Sequence, residues 1–538
     1  MDESHNKPPP EEAVESLAAE SGKAMPIPAD TLPTRPAAER RTGQGLPPPP
    51  DPQAGAIMPP PPAATHAVTP VSVADAPDGG LQRTLENLNL DANAQADPDT
   101  KPDRHSAEAL LSIVEGGTMP VAVNNIDREL IAIWKSTTGG GDNEGKVAVT
   151  LMRAMNLVVY VDNDEGVANA HQMVTRIIGR HPCRTIMIVN RSGATTVPNP
   201  DSDGNTRPAA DDLEASISAY CQLADSLGKH VCCEQISVQA NSPAALGRVS
   251  NVALNLLITD LPVFLWWAGD RPFQNSVLTN LEDNIDRLIV DSSLFADPLA
   301  GLLAMARVLD PAFRRAESAR YAPGDFNWDR IEGLREATAQ VFDTAGFTSS
   351  LGRIGSLEIQ YARPAEGQLP NPVQAFLFAA WMASRLGWEF HSSAPVRGGG
   401  PGDVVLTLRQ GVRSIPILLR ANEGTTSCAG GILRVLLTTN EIRPTTFAIA
   451  MADDNLYMDC TVTSEGTESA VRKLRHSPPD DFHLLDSQME VFGHDEIFEE
   501  ALVMAGIMAW GSLSLNRRAE VSAQIGEENR QSSFDPRF

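Results

Sequence analysis

Apolar and polar positions change their rhythm three times along this chain. From residue 1 to about 105 the sequence is dominated by Pro, Ala, Glu, Asp and Ser, with unbroken proline runs at Pro47 to Pro50 and Pro59 to Pro62. Such a segment has too little apolar surface to offset the entropy of ordering it, so residues 1–105 read as a disordered extension. Leu81 to Leu90 hints there at a short helix or a docking motif.

Order begins near His105. The β-branched runs Val147 to Leu151 and Leu157 to Val161 predict strands. Val167, His171, Val174 and Ile178 recur at helical spacing and predict a helix ending near Gly179. Strands are expected at Thr185 to Val189, Leu213 to Leu223 and His230 to Gln239, the last two joined by a turn at Gly228. Ser242-Pro243 then opens a helix towards Thr259, because Ser caps free amides and Pro suits the first helical position. In Val263 to Trp267 both alternating faces are apolar, which predicts a central strand covered on both sides. A helix through Glu282, a strand at Arg287 to Val290 and a helix from Asp297 to Val308 continue the alternation, and Trp328 to Phe342 supplies one further apolar helix face. Strands alternating with helices predict an α/β domain over 106–350, with a largely parallel sheet flanked by helices.

From Leu351 the pattern predicts a second, α+β domain over 351–515. The helix from Asn371-Pro372 through Leu386 is apolar nearly all round and should be buried. Val404 to Leu408, Ile415 to Leu419, Leu433 to Thr438, Thr446 to Met451 and Leu456 to Val462 are spaced as antiparallel strands. A helical region ends at Trp510, and 516–538 reads as a polar tail.

Composition narrows the partners. The chain has 538 residues, too many for one ordinary core, and 43 basic against 69 acidic residues give a formal charge of −26. An acidic chain repels phosphate backbones and anionic lipid, so neither nucleic acid nor a membrane is expected. Arg314 to Arg320 reads as a solvated face. The apolar stretch Asn251 to Gly269 is interrupted by Asp260 and Pro262, which argues for a buried helix, turn and strand rather than a span. The start of the sequence lacks the basic and apolar regions of a secretory signal, and six cysteines are too few for a disulfide scaffold. A reducing cytoplasm is the expected location.

A search for local chemistry finds no phosphate-binding loop, no Gly-x-Gly-x-x-Gly between strand and helix, no Gly-x-Ser-x-Gly and no His-Glu-x-x-His. No catalytic residue, cofactor or metal is therefore assigned. His181, Cys183, Cys232 and Cys233 are zinc-ligand types, but adjacent cysteines on a strand point to opposite faces and do not share one ion easily. Buried, inert thiols are the simpler reading. His171, on an apolar helix face, reads as a hydrogen-bonded histidine. Asp270 and Arg271 lie just beyond the central strand, where α/β domains bind ligands or partners, and are candidate partner contacts. A structural Asp–Arg pair is the competing reading.

Taken together, His181-Pro-Cys-Arg184, Val231-Cys-Cys-Glu-Gln-Ile236, Asp260-Leu-Pro-Val-Phe-Leu-Trp-Trp267 and Asp286-Arg-Leu-Ile-Val-Asp-Ser-Ser293 resemble the OpcA family of glucose-6-phosphate dehydrogenase assembly proteins, over about residues 106–515. The resemblance implies a non-catalytic protein that binds glucose-6-phosphate dehydrogenase and favours its active oligomer, in support of NADPH production. For cyanobacterial members it also implies thiol redox control linked to thioredoxin. No particular regulatory pair stands out in this sequence, so Cys232, Cys233, Cys428 and Cys460 are the candidate thiols. The competing class is a sugar-phosphate- or nucleotide-binding enzyme or sensor, with its ligand at the carboxyl end of the sheet and Arg184 and Arg271 as anion contacts.

Overall fold

The computed structural model describes residues 118–138, 149–193, 213–224, 229–309, 321–363, 368–424, 426, 428–452 and 455–524. The proline runs, Leu81 to Leu90, Gly228 and the Arg314 to Arg320 patch lie outside the described residues.

The first half alternates strands and helices, with β1, α1 and β9 added to the elements that the sequence pattern predicts: β1 (Met119–Val121), α1 (Ile126–Thr138), β2 (Val149–Leu151), β3 (Met155–Val161), α2 (Asp164–Ile177), β4 (Cys183–Asn190), β5 (Leu213–Ala224), β6 (Lys229–Ala240), α3 (Pro243–Leu256), β7 (Val263–Ala268), α4 (Ser276–Leu281), β8 (Arg287–Val290), α5 (Pro298–Val308) and β9 (Ala322–Asp325). Ser242 caps α3 by accepting from Ala245 N, and Asn163 caps α2 through Gly166 N. The strands form a nine-stranded sheet ordered β1-β5-β6-β4-β3-β7-β8-β9, with β2 also against β6. The run from β6 to β9 is parallel, while β1 and β5 pair antiparallel.

Every residue of β3 is buried, because this sheet is covered on both faces. On one face Val158, Tyr160, Leu265, Trp267 and Val290 join a core that includes side chains of α3 and α5. On the other, Leu157, Val159, Phe264 and Trp266 pack with α2. The alternation read in Val263 to Trp267 is thus the division between two cores.

Next come α6 (Phe326–Arg330), α7 (Glu332–Phe342) and α8 (Thr348–Leu351). The single helix expected from Trp328 to Phe342 is two, joined at Ile331, so Trp328 turns onto Phe498 instead of extending the α7 face. The second sheet comprises β10 (Ile354–Ala362), β11 (Glu389–Pro395), β12 (Val404–Gln410), β13 (Arg413–Asn422), β14 (Ile432–Thr439), β15 (Thr445–Met451), β16 (Tyr457–Ser464) and β17 (Thr467–Arg475), with α9 (Val373–Leu386) between β10 and β11. Its order is β11-β12-β13-β10-β14-β15-β16-β17, antiparallel except where β10 runs parallel to β13. The α/β class, with a largely parallel first sheet and a second containing antiparallel strands, is as read from the sequence.

Three helices end the described residues: α10 (Asp481–Glu490), α11 (Glu496–Ser512) and α12 (Leu515–Gln524). Here the pattern misleads. Leu484, Leu485 and Met489 of α10 return to the first sheet and pack in the core of Phe264 and Trp266. The tail expected from residue 516 begins inside a helix, where Val521 is buried and Arg517 is ion-paired to Asp297. No helix among the described residues is long and apolar enough to cross a membrane.

Candidate functional site

At the carboxyl end of the parallel strands, where α/β sheets leave a crevice, this sheet places aromatic rings and amides. Tyr160 stacks on Trp267, with ring centroids 3.7 Å apart and planes 12° from parallel. The Tyr160 hydroxyl accepts from Asn190 Nδ2 at 2.8 Å and from Asn275 Nδ2 at 2.9 Å. Both amide oxygens are committed elsewhere, Asn190 Oδ1 to Ser192 N and Asn275 Oδ1 to Val277 N, which fixes the orientation of each amide. Burial pushes the Tyr160 phenol above its ordinary pKa, so it stays protonated.

Asp270 and Arg271 follow directly. Asp270 Oδ1 accepts from Arg271 N at 2.8 Å and from Ala296 N at 3.1 Å, and its own amide donates to Asp162 Oδ2 at 3.3 Å. Asp270 therefore ties together the loops after β3, β7 and β8. A Cβ at Gly269 would lie 2.8 Å from Asp162 Oδ2, so glycine is needed for this approach. Arg271 has φ of 51°, and its side chain is 65% exposed with Nε 3.2 Å from Asp270 Oδ2. The structural Asp–Arg pair and the exposed contact are thus the same two residues: the carboxylate shapes the loop, and the guanidinium faces outward. The cavity beside them is about 70 Å³, room for two or three waters rather than a sugar phosphate.

Arg184 does not join this site. It pairs with Asn156 at the start of β3, whereas Arg271 lies beyond the end of β7. In parallel strands these are opposite ends of the sheet, ~20 Å or more apart at ~3.3 Å per residue. Arg184 is also occupied: Nε donates to the buried Glu234 carboxylate and Nη1 donates to Leu256 O at 2.8 Å, while Arg153 and Trp134 complete the Glu234 shell. The expectation that Arg184 and Arg271 both serve an anion at the carboxyl end is corrected by this geometry. A larger concavity, about 1320 Å³, opens near the end of β4 and is lined by residues including His171, Arg191, Glu214, Gln239 and Arg248. His171 itself meets Gln235 Nε2 at 2.8 Å, and burial lowers its pKa.

The segment Asp286 to Ser293 organises a second polar network. Asp286 accepts from Val263 N, and the buried Arg287 donates to Gln488 Oε1 at 2.7 Å and to Gly493 O at 3.0 Å. Gln488 in turn donates to Asp329 at 2.8 Å. Asp291 receives both terminal nitrogens of Arg330, at 2.6 and 2.8 Å. Ser292 donates to Asp325, which is fully buried, and accepts from Asn327, whose oxygen receives Gln374 of α9. Gln374 then accepts from Ile432 N of β14, so a continuous chain of hydrogen bonds joins the two sheets. Burial pushes the Asp325 carboxyl up to about 6 and that of Asp329 up to about 7.

The cysteines divide in a way that the sequence did not reveal. Cys221 and Cys232, directly opposed on β5 and β6, form a disulfide, so Cys232 is not a free thiol and its partner lies outside the candidate set. Cys183 and Cys233 are wholly buried, and desolvation pushes them up to about 11 and about 12. Cys460 is buried, and Cys428, half-buried, has Sγ 3.1 Å from Gln374 Nε2; burial raises both thiols. Cross-strand opposition of positions 221 and 232, on consecutive antiparallel strands, was the available signal. His181 sits with Asp486 and Glu490, but Arg180 pairs with the same two carboxylates, filling that cluster with a cation of its own.

Residues 174–307 match the glucose-6-phosphate dehydrogenase subunit N-terminal domain, and residues 321–502 match the corresponding C-terminal domain, together more than half of the chain. The OxPP cycle protein OpcA of Synechocystis sp. is 30% identical over 213 residues, covering 39% of this chain and 38% of that protein. Its namesake in Nostoc punctiforme is 27% identical over 338 residues, covering 62% and 63%. The chain thus spans between about two fifths and two thirds of these relatives. Among solved structures, the oxidoreductase yvaA of Bacillus subtilis aligns with a TM-score of 0.36 at 9% identity, over 70% of this chain and 98% of that one, too low a score to carry an argument. The two domain matches, in order along the chain, and the named relatives show that it belongs to the OpcA family of glucose-6-phosphate dehydrogenase assembly proteins.

Proposed function

We propose that this chain is a non-catalytic factor that binds glucose-6-phosphate dehydrogenase in the cytoplasm and favours its active oligomer, so supporting NADPH supply. One observation carries the reading: the crevice expected beyond β3 and β7 is taken by the Tyr160–Trp267 stack and its asparagines, while Arg271 beside it faces outward. The rings are buried, so what this end of the sheet offers outward is the exposed Arg271 guanidinium beside a small cavity, which suits a protein contact better than a small substrate. The mechanism is a population shift, in which tighter binding to the active oligomer draws the equilibrium towards it. A tenfold shift takes about 1.4 kcal/mol of differential binding, within reach of one modest interface.

Titration of the full chain into purified dehydrogenase, following NADPH formation and complex mass under reducing and oxidising conditions, tests the proposal. A mass increase with faster turnover supports it; unchanged kinetics and no complex end it. Thiol control by a thioredoxin-like reductant is part of the same proposal, with the Cys221–Cys232 disulfide as the bond it would reduce. The concavity near Arg191 and Arg248 favours a second reading, a sugar-phosphate- or nucleotide-binding module. Calorimetric titration with glucose 6-phosphate, 6-phosphogluconate and NADP separates the two.

A further inference from the structure

Among the described residues, the second sheet is packed on one face only. Leu357, Ile359, Leu406, Ile417, Val435, Leu437 and their inward neighbours form a core with α9, α11 and α7. The alternate residues of the same strands point the other way, as the pleat requires. By register they form cross-strand rows: Val405 beside Leu418, then Glu358, Leu436 and Ala448, and next to that row Arg420, Gln360, Arg434 and Ala450. Nothing among the described residues is packed on this face in the way that α9 and α11 cover the other.

Its chemistry is unusual for this protein. Arg420 and Arg434, on β13 and β14, flank a row in which Val405, Leu418 and Leu436, each half-buried, stand around Glu358, while Arg409 on β12 lies opposite Ser414, two rows away on the other side. None of these three arginines has a side-chain hydrogen bond or ion pair among the described residues, whereas Arg153, Arg180, Arg184, Arg330, Arg353 and Arg517 each meet a carboxylate. A chain with a formal charge of −26 does not lack carboxylates to pair them with. The one acidic side chain among the rows of these central strands, Glu358, already accepts from Gln360 Nε2 at 2.8 Å. Arginines beside an apolar centre are the composition of a protein interface, in which guanidiniums receive carboxylates from the other side. A second copy fits less well, because facing sheets would oppose arginine-rich rows of like charge.

We propose that this open face of β12, β13, β10 and β14 is the main docking surface for a protein partner that presents carboxylates around an apolar patch. The inference rests on the proposed function, in which that partner is glucose-6-phosphate dehydrogenase. Recognition through Arg420 and Arg434 is then electrostatic at the flank and apolar at the centre, and the complex weakens with rising salt.

The test is calorimetry and light scattering of full-length wild type, the double variant Arg420→Glu/Arg434→Glu and the milder Arg420→Gln/Arg434→Gln, each with purified dehydrogenase at low and high salt. Thermal unfolding of each variant is measured alongside, and the milder pair keeps the test open if the reversal impairs folding. The expected result is native-like melting, affinity lower by roughly tenfold or more for the reversal, and a smaller loss for the neutral pair. Wild-type affinity in both variants overturns the docking surface and leaves the proposed function standing. No complex with wild type overturns both. A wild-type dimer split by the reversal, with dehydrogenase binding kept, assigns the face to a second copy and also overturns the proposal.

Discussion

Tyr160 on β3 and Trp267 on β7 stack at 3.7 Å between ring centroids, and both rings are almost wholly buried. Their strands are adjacent and parallel, and register sets the two residues side by side. Trp267→Ala removes the stack and leaves a cavity, at a cost of about 3–5 kcal/mol. Tyr160→Phe keeps the volume but strands the Asn190 and Asn275 amides, at about 1–3 kcal/mol. Urea unfolding of both should rank the tryptophan substitution as the more damaging.

Arg330 and Asp291 form a bidentate pair, with both side chains about nine-tenths buried. Arg330→Ala leaves a buried carboxylate uncompensated and should cost about 3–5 kcal/mol. The same substitution loosens the network between the sheets, so limited proteolysis should cut earlier than in wild type. A variant with wild-type urea midpoint would show that the pair contributes little.

Burial raises the Asp329 and Asp325 carboxyls to about 7 and about 6, against roughly 4 in an unfolded chain. Between about pH 4 and 7 the folded state therefore keeps protons that the unfolded state has released. Their contribution makes stability fall as pH rises through this window. Asp329→Asn removes its share, so the variant should lose less stability between pH 4.5 and 7.5. Parallel declines for variant and wild type would contradict the assignment.

Alkylation read by mass spectrometry separates the cysteines. Without reductant, Cys221 and Cys232 should resist labelling as a disulfide, and reductant should release both. Cys183 and Cys233, buried and raised to about 11 and about 12, should stay unlabelled at pH 8 in the folded protein either way. Rapid labelling of Cys233 would contradict its burial.

Arg271→Glu tests the loop beyond β7. Because its side chain is mostly exposed, melting should shift little, while activation of the dehydrogenase should weaken. Asp270→Ala, by contrast, removes the acceptor for Ala296 N and Arg271 N and should lower stability as well. Full activation by a folded Arg271→Glu chain would remove Arg271 from the interface.

The residues of β3 and β7 announced themselves, because a strand covered on both sides has to be apolar on both faces and few other elements produce that pattern. The edges did not. β9 is Ala-Pro-Gly-Asp, with no intrinsic preference for a strand, and it exists because β8 offers a parallel edge to pair with. β11 and β17 are mostly exposed and carry no apolar signal, whereas the central β10 does carry one, with Leu357, Ile359 and Tyr361 alternating with Ser356, Glu358 and Gln360. By itself the sequence determined the fold class, the central strand and the position of Asp270 and Arg271 beyond its end, since these depend on local periodicity and turn chemistry. Tertiary structure alone decided that Arg184 belongs to Glu234 at the far end of the sheet and that α10 returns to cover Trp266. Each of these joins residues whose meeting depends on strand order and register, quantities set by the packing of the whole chain and written in no single segment of it.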